Sequence, residues 1–267
     1  MNEMPILGED LHLTAGSRPI LNIRTLQVAR GEALAILGRN GAGKTTLLRA
    51  CLGLHRPAAG RLRVLGKEVW QLSWLERQRL RRRIGYVPQA TAAGSDVPLT
   101  IREVVAMGPT SRASLLGPLR RCDWRTVDRW LERMGLAGLA NQRFGEASGG
   151  EQRKAMLARA MAQEPEMLLL DEPTAWLDLG WREQIVRLMQ ELHEQTRMTI
   201  VLVCHELEVL PPCCRRVVLL EDGAVTRCGT PEEVLTDAAV SAFYGDHFRV
   251  SHAAGRHAVT PVGKALQ

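Results

Sequence analysis

Apolar positions along the 267-residue chain follow two different periods, and the place where one gives way to the other organises the molecule. From Leu11 to about Gly66 short apolar runs alternate with turn residues, which predicts strands. In Arg61-Leu62-Arg63-Val64 the alternation is residue by residue, as on a half-exposed strand. Ala33 to Leu37 is apolar throughout, the pattern of a strand covered on both faces, and Leu47, Leu48, Cys51 and Leu52 then recur at helical spacing. Ser73 and Glu76 form a capping-box pair that predicts a helix to about Arg83, with Leu75 and Leu80 on its apolar side. Ile84 to Val87 reads as a buried strand ending at Pro88 and Gln89.

The pattern then turns helical over about 90–163. Thr100 and Glu103 offer a second capping box, and Val127, Trp130, Leu131 and Met134 share one helical face. This predicts a helical subdomain inserted between sheet elements. Beyond it, Met167 to Leu170 predicts a fully buried strand that ends in Asp171 and Glu172. Ile185, Leu188, Met189 and Leu192 mark a helix, and Thr199 to Cys204 predicts a further strand delivering His205 at its end. Strands that alternate with helices predict an α/β fold with a mostly parallel sheet, here joined to the sheet-rich opening. From Gly245 onward the chain is polar and weakly periodic, which predicts an extension or a loosely ordered tail over 246–267, outside a main domain of 1–245. The tail histidines His247, His252 and His257 could suggest metal handling, but their spacing fits no regular face of a single helix, and ordinary polar positions are the simpler reading.

Composition narrows the class. With 45% apolar residues the chain has ample material for a core, and no apolar run approaches the eighteen or so residues that span a bilayer. The start, MNEMPILGEDLHL, lacks a basic stretch followed by an apolar signal core, so a soluble cytoplasmic protein is expected. Six cysteines (Cys51, Cys122, Cys204, Cys213, Cys214 and Cys228) show neither paired zinc spacing nor a small secreted framework, and read as reduced thiols. The net charge of +6 is carried in part by Arg77, Arg79, Arg81, Arg82 and Arg83. Such a cluster could meet an anionic membrane or nucleic acid; a solvated helix face is the simpler reading.

Candidate chemistry concentrates where the buried strands end. Gly38-Arg39-Asn40-Gly41-Ala42-Gly43-Lys44-Thr45-Thr46 fits the phosphate-loop pattern and sits between a predicted strand and a predicted helix. Glycines at 38, 41 and 43 let backbone N–H groups approach phosphate oxygens, Lys44 adds a cation near the β- and γ-phosphates, and the Thr45 hydroxyl suits Mg²⁺. The helix opening there directs its positive end at a nucleotide. Asp171 can hold Mg²⁺ through water, and Glu172 can polarise a water that attacks the γ-phosphate. Ser148 can cap a helix starting near Glu151, a good anion site with Gly149 and Gly150 beside it.

In this order the phosphate loop, Gln89, the ASGGE of Ala147 to Glu151, the MLLLDEPT ending at Thr174, the AWLD ending at Asp178, and His205 resemble the ATP-binding cassette (ABC) ATPases, from about Leu11 to Gly245. The resemblance implies a phosphate-loop NTPase core with an antiparallel β subdomain, ATP and Mg²⁺ as cofactors, and ATP hydrolysis. It implies that Gln89 contacts Mg²⁺ and senses the nucleotide, that His205 contacts the γ-phosphate and orients the base, and that Lys44 and Glu172 serve catalysis. Ser148, Gly149 and Gly150 would bind the nucleotide of a second copy in a head-to-tail pair, with Asp178 at that interface. Four positions depart from the family pattern: Ala147 and Glu151 replace leucine and glutamine in the signature, Glu206 replaces an aspartate, and Ala15 stands where an aromatic ring usually stacks on adenine.

About a hundred residues separate the phosphate loop from the signature, with no heptad run and no second cassette. That favours the energising subunit of a transporter with separate membrane permease subunits over a soluble cassette acting on nucleic acid or ribosomes. A solute-binding protein in the periplasm or on the cell surface would be an indirect partner; nucleic acid is not expected. The chain would sit peripherally on the cytoplasmic face of the membrane. The stretch Ser95 to Gly108 resembles importer ATPases for zinc, manganese or iron, which implies import of a transition metal ion; importers of iron-siderophore, haem or cobalamin are the alternative.

Overall fold

The computed structural model describes residues 4–89, 98–110, 119–245 and 247–262. Parts of the predicted helical subdomain, 90–97 and 111–118, lie outside the described residues. The chain divides into two compact units, one built from 1–73 and 186–267 and the other from 74–185.

The first unit opens with strands β1 (Ile6–Ala15) and β2 (Arg18–Val28), followed by β3 (Ala33–Gly38), helix α1 (Lys44–Cys51), and strands β4 (Ala59–Val64) and β5 (Lys67–Glu68). An antiparallel sheet in the order β2-β1-β4-β5 forms from four of these strands. Its alternating residues behave as their pattern predicts: Leu62 and Val64 are buried while Arg61 and Arg63 are exposed. Strand β3 is buried at every position and pairs in parallel with β8 (Thr199–Cys204) on one side and β9 (Arg216–Glu221) on the other. Strand β10 (Ala224–Gly229) turns back antiparallel on β9. Helices α7 (Pro231–Val234) and α8 (Asp237–Tyr244) follow, each capped by the hydroxyl of the preceding threonine, Thr230 or Thr236.

The tail, which the sequence leaves open between an extension and a loosely ordered segment, takes regular structure. Residues 248–261 form a hairpin, β11 (Phe248–Ala253) against β12 (Arg256–Pro261), in unbroken register. Weak apolar periodicity does not prevent this, because the hairpin is fastened by polar groups from elsewhere in its unit. Val250 N–H donates to Asp237 Oδ1 at 2.7 Å, Arg256 Nη2 to the Glu208 carbonyl at 2.8 Å, and Val259 N–H to Glu208 Oε1 at 3.2 Å.

The second unit carries α2 (Trp74–Arg81), the parallel pair β6 (Ile84–Val87) and β7 (Met167–Asp171), and helices α3 (Ile101–Thr110), α4 (Arg121–Arg133) and α5 (Gly149–Ala162). Helix α6 (Leu179–Thr196) begins in this unit. The predicted face of α4 is in place, with Val127, Trp130, Leu131 and Met134 all buried. The capping box before α3 is also formed: Thr100 N–H donates to Glu103 Oε2 at 2.8 Å and Glu103 N–H to Thr100 Oγ1 at 3.2 Å. One predicted apolar position fails. Leu80 of α2 is buried, but Leu75 and the adjacent Trp74 are about 60% exposed, so α2 presents only one leucine to the core.

Strands β1 and β4 slip register between Glu9 and His12, where Asp10 has a φ of 46°. Gly60 faces this bulge with a φ of 86°, and a Cβ there would stand 2.0 Å from the Asp10 carbonyl oxygen. Gly60→Ala should therefore cost about 2–3 kcal/mol and lower the thermal midpoint by roughly 5–10 °C, read by calorimetry. An unchanged midpoint would show that the bulge can be relieved cheaply.

Candidate active site

In the first unit the phosphate-loop residues are arranged by β3. The strand's burial brings the chain to Gly38 with no side chain directed to solvent, and residues 39–43 must reverse it into α1. Gly41 and Gly43 take φ of 87° and 96°, backbone that glycine adopts without steric cost. At Gly43 a Cβ would also press to 2.5 Å from Leu21 Cδ2, so glycine is required twice over. Gly38 is held by close approach instead: a Cβ there would lie 2.8 Å from the Leu220 carbonyl oxygen. The N-cap of α1 is Gly43, which has no side chain to turn back on the first-turn N–H groups, so no side-chain cap occupies that helix end. Lys44 is only 5% exposed and its Nζ donates to the Gly38 carbonyl at 2.7 Å and to that of Arg39 at 3.2 Å. Its charge is thus folded over the loop's own carbonyls. Asn40, Ala42, Thr45 and Thr46 complete the segment, Thr45 and Thr46 in the first turn of α1.

His205 follows the last residue of β8, with Nε2 at 3.5 Å from Glu206 Oε1. Its carbonyl accepts a 2.5 Å hydrogen bond from Tyr244 Oη. Burial, reinforced by Glu208 and other nearby groups, pushes the Tyr244 phenol up, so it stays a hydroxyl donor across the physiological range. Ala15, the last residue of β1, is exposed and offers only a methyl group.

The second unit assembles the carboxylates. Strand β7 has five buried residues, and Asp171 at its end is fully buried. Tyr86 of β6 donates to Asp171 Oδ2 at 3.1 Å. Glu172, 6% exposed, has a φ of 48°, left-handed backbone that is strained for a glutamate and turns the chain sharply away from the strand. Gln89, two residues beyond β6, donates from Nε2 to Glu172 Oε2 at 2.9 Å. The structure therefore brings Gln89, Asp171 and Glu172 together.

Beneath them lies Arg153 of α5, 5% exposed, which the sequence pattern does not single out. Its Nη1 donates to the Pro88 carbonyl at 2.8 Å and its Nη2 to the Glu172 carbonyl at 3.4 Å. Burial pulls its guanidinium below the ordinary arginine value, and the Asp171 and Glu172 charges oppose that shift. The only sequence signal was an arginine set among Ala155, Leu157 and Ala158, which are all buried.

Ser148 caps α5 as expected: its Oγ accepts from Glu151 N–H at 3.3 Å, and its own N–H donates to Glu151 Oε2 at 2.7 Å. Glu151 thus closes a capping box at the signature. Gly149 is next in line, and Gly150 lies against the Trp181 ring, where a Cβ would come to 2.1 Å. Asp178 is exposed and caps α6, its Oδ1 accepting from Trp181 N–H at 2.9 Å. Trp176 and Leu179 on either side of it are 87% and 75% exposed.

The first unit thus carries a glycine-rich loop with a buried lysine folded over it, and the second a buried carboxylate pair with a glutamine hydrogen-bonded to one member. A family model described as ABC transporter matches residues 21–175. The ferric enterobactin transport ATP-binding protein FepC of Escherichia coli is 31% identical over 96% of this chain and 94% of its own. A probable metal transport system ATP-binding protein of Chlamydia pneumoniae is 34% identical over 83% of this chain and 82% of its own. Among solved structures, an inward-facing putative metal-chelate type ABC transporter is similar with a TM-score of 0.82 and 25% identity, covering 99% of this chain and 100% of that one. A dimeric post-hydrolysis ATP-binding cassette bound to ADP and Pi is similar with a TM-score of 0.74 and 28% identity, covering 84% and 98%. The chain belongs to the ABC transporter family and is an ATPase of the kind that energises import.

Proposed function

We propose that the chain hydrolyses MgATP in a head-to-tail pair and thereby drives separate permease subunits that import a transition metal. The observation that carries the catalytic part is the hydrogen bond between Gln89 and Glu172 at the end of a buried strand. It holds the carboxylate of Glu172 in one orientation, as a general base for the attacking water requires. Gly38 to Thr46 wraps the phosphates and Lys44 turns from its loop carbonyls toward the γ-phosphate. Thr45, Gln89 and Asp171 offer the hydroxyl, amide and carboxylate oxygens that a hard Mg²⁺ ion takes. The ion, when bound, neutralises charge on the phosphates. His205 contacts the γ-phosphate.

Ser148, Gly149 and Gly150 form the second half of a site whose phosphate loop comes from another copy. The exposure of Trp176 and Leu179 beside Asp178 supports this, since large apolar residues so exposed need a covering partner. On the permease side, the described part of the helical subdomain offers the half-exposed Met107 and the exposed Arg120 and Arg121. Among the described residues no helix is long and apolar enough to cross a membrane, which fits a peripheral place on the cytoplasmic face.

For the cargo, a chelated form of the metal is a second reading. It is favoured by the end-to-end reach of the likeness to the ferric enterobactin and metal-chelate proteins, 96% and 99% of this chain, against 83% for the metal transport relative.

Glu172→Gln keeps shape and hydrogen bonding but removes the base. Turnover measured by phosphate release should fall about 10²–10⁴-fold, while ATP affinity by equilibrium binding persists. Hydrolysis near the normal rate would refute the role of Glu172.

Pairing differently tagged Ser148→Arg and Lys44→Ala subunits puts both defects in one composite site and leaves the other whole. The mixed pair should keep part of the normal activity, whereas each variant alone has nearly none. A mixed pair as inactive as either parent would indicate a site built within one chain.

A further inference from the structure

The hairpin places two histidines where their sequence spacing alone does not. Its two-residue turn, Ala254-Gly255, has φ of 50° and 70°, the all-positive backbone that matches the twist of paired strands. With that turn fixed, the register sets Ala253 opposite Arg256 and therefore His252 directly opposite His257. Directly opposed residues project from the same face of a strand pair. Here the two rings sit with centroids 5.0 Å apart and their Nδ1 atoms only 2.8 Å apart. A ligand atom of Glu232, from α7, lies within 4.8 Å of both imidazoles' ligating nitrogens. The three residues come from separate strands and a helix, yet their donor atoms gather within 4.8 Å of one another.

From this convergence we propose that Glu232, His252 and His257 form a binding site for a borderline divalent transition metal such as Zn²⁺, outside the ATP site. Two nitrogens bound at about 2.0–2.1 Å to a tetrahedral ion stand ~3.3 Å apart. The observed pair needs to open by only ~0.5 Å to reach that separation, a movement available to His252, which is exposed. His257 is 4% exposed and supplies the fixed half of the site. Burial, with help from His252 and Arg256 and against the pull of Glu232, holds the His257 imidazole below its ordinary value, so its lone pair is available at neutral pH. The donor set selects the metal. Imidazole nitrogen with a single carboxylate suits Zn²⁺, Ni²⁺ or Co²⁺, whereas Mg²⁺ and Ca²⁺ take oxygen shells and Cu⁺ prefers sulfur. Three protein ligands leave one position of a tetrahedron for water.

A bound ion would join the hairpin to α7 across the chain fold. It would stabilise the folded state by mass action, since the three ligands do not converge in the unfolded chain.

The test uses the full-length, reduced, metal-stripped protein. Zn²⁺ is titrated in competition with a chromophoric chelator, Co²⁺ is added as a spectroscopic probe, and thermal unfolding is followed with and without Zn²⁺. We expect one Zn²⁺ per chain with a Kd of about 1 μM or below, four-coordinate Co²⁺ bands with no thiolate charge transfer, and a raised thermal midpoint. His252→Ala and Glu232→Gln, both at exposed positions, should each weaken Zn²⁺ binding by more than ~10-fold while ATP turnover stays normal. A Cys122→Ser/Cys228→Ser double variant, removing the exposed thiols, should bind as the parent does. Absence of stoichiometric binding, equal binding by His252→Ala, or a thiolate charge-transfer band lost in the cysteine variant would each overturn the site.

Discussion

Strands β3, β7 and β8 have no exposed side chain along their length, and this complete burial governs where chemistry can appear. A strand covered on both faces cannot carry a charged group midway without leaving it desolvated, at a cost of several kcal/mol. Polar residues are therefore pushed to the point where each strand ends. Gly38 and the phosphate loop follow β3, Asp171 and Glu172 stand at the end of β7, and His205 follows β8. In parallel α/β sheets the carboxyl ends of strands are where ligands bind, so packing and function draw on the same property of the sequence.

Arg153 is the exception that this arrangement needs. It is a charge taken out of water, and its burial pulls the guanidinium down, yet two backbone carbonyls and two neighbouring carboxylates offset that penalty. The carbonyls belong to Pro88, just after β6, and to Glu172, just after β7. One planar group therefore ties the exits of both strands of a parallel pair, and Gln89 and Glu172 are set by a shared support. Arginine suits this role better than lysine because its fork of donors reaches two acceptors at once.

How much of this was legible in the sequence depends on how local each determinant is. The phosphate loop, the capping boxes at Thr100 and Ser148, the apolar face of α4 and the carboxylates after β7 are all written within a few residues, and the structure has them where the pattern put them. Leu75 shares the apolar side of α2 in the sequence yet stands exposed, because periodicity tells which residues share a face but not whether anything covers that face. The sequence leaves 246–267 open between an extension and a loosely ordered tail, because the support of the hairpin at 248–261 comes from Glu208 and Asp237, through hydrogen bonds that leave no apolar rhythm. Arg153 and Tyr86 escaped notice for the same reason: their partners are Pro88, Asp171 and Glu172, 65 to 85 residues away for the contacts with Pro88 and Asp171.

The contact between Gly150 and the Trp181 ring has an evolutionary consequence. The indole fills the space a side chain at 150 would take and is itself covered by Lys154 Nζ, 4.6 Å from the ring centre. Even a methyl group at 150 would enter the ring, so these positions cannot drift independently. Within relatives of this chain the second glycine of the signature should therefore covary with the residue at 181, a constraint of volume that adds to any imposed by a nucleotide.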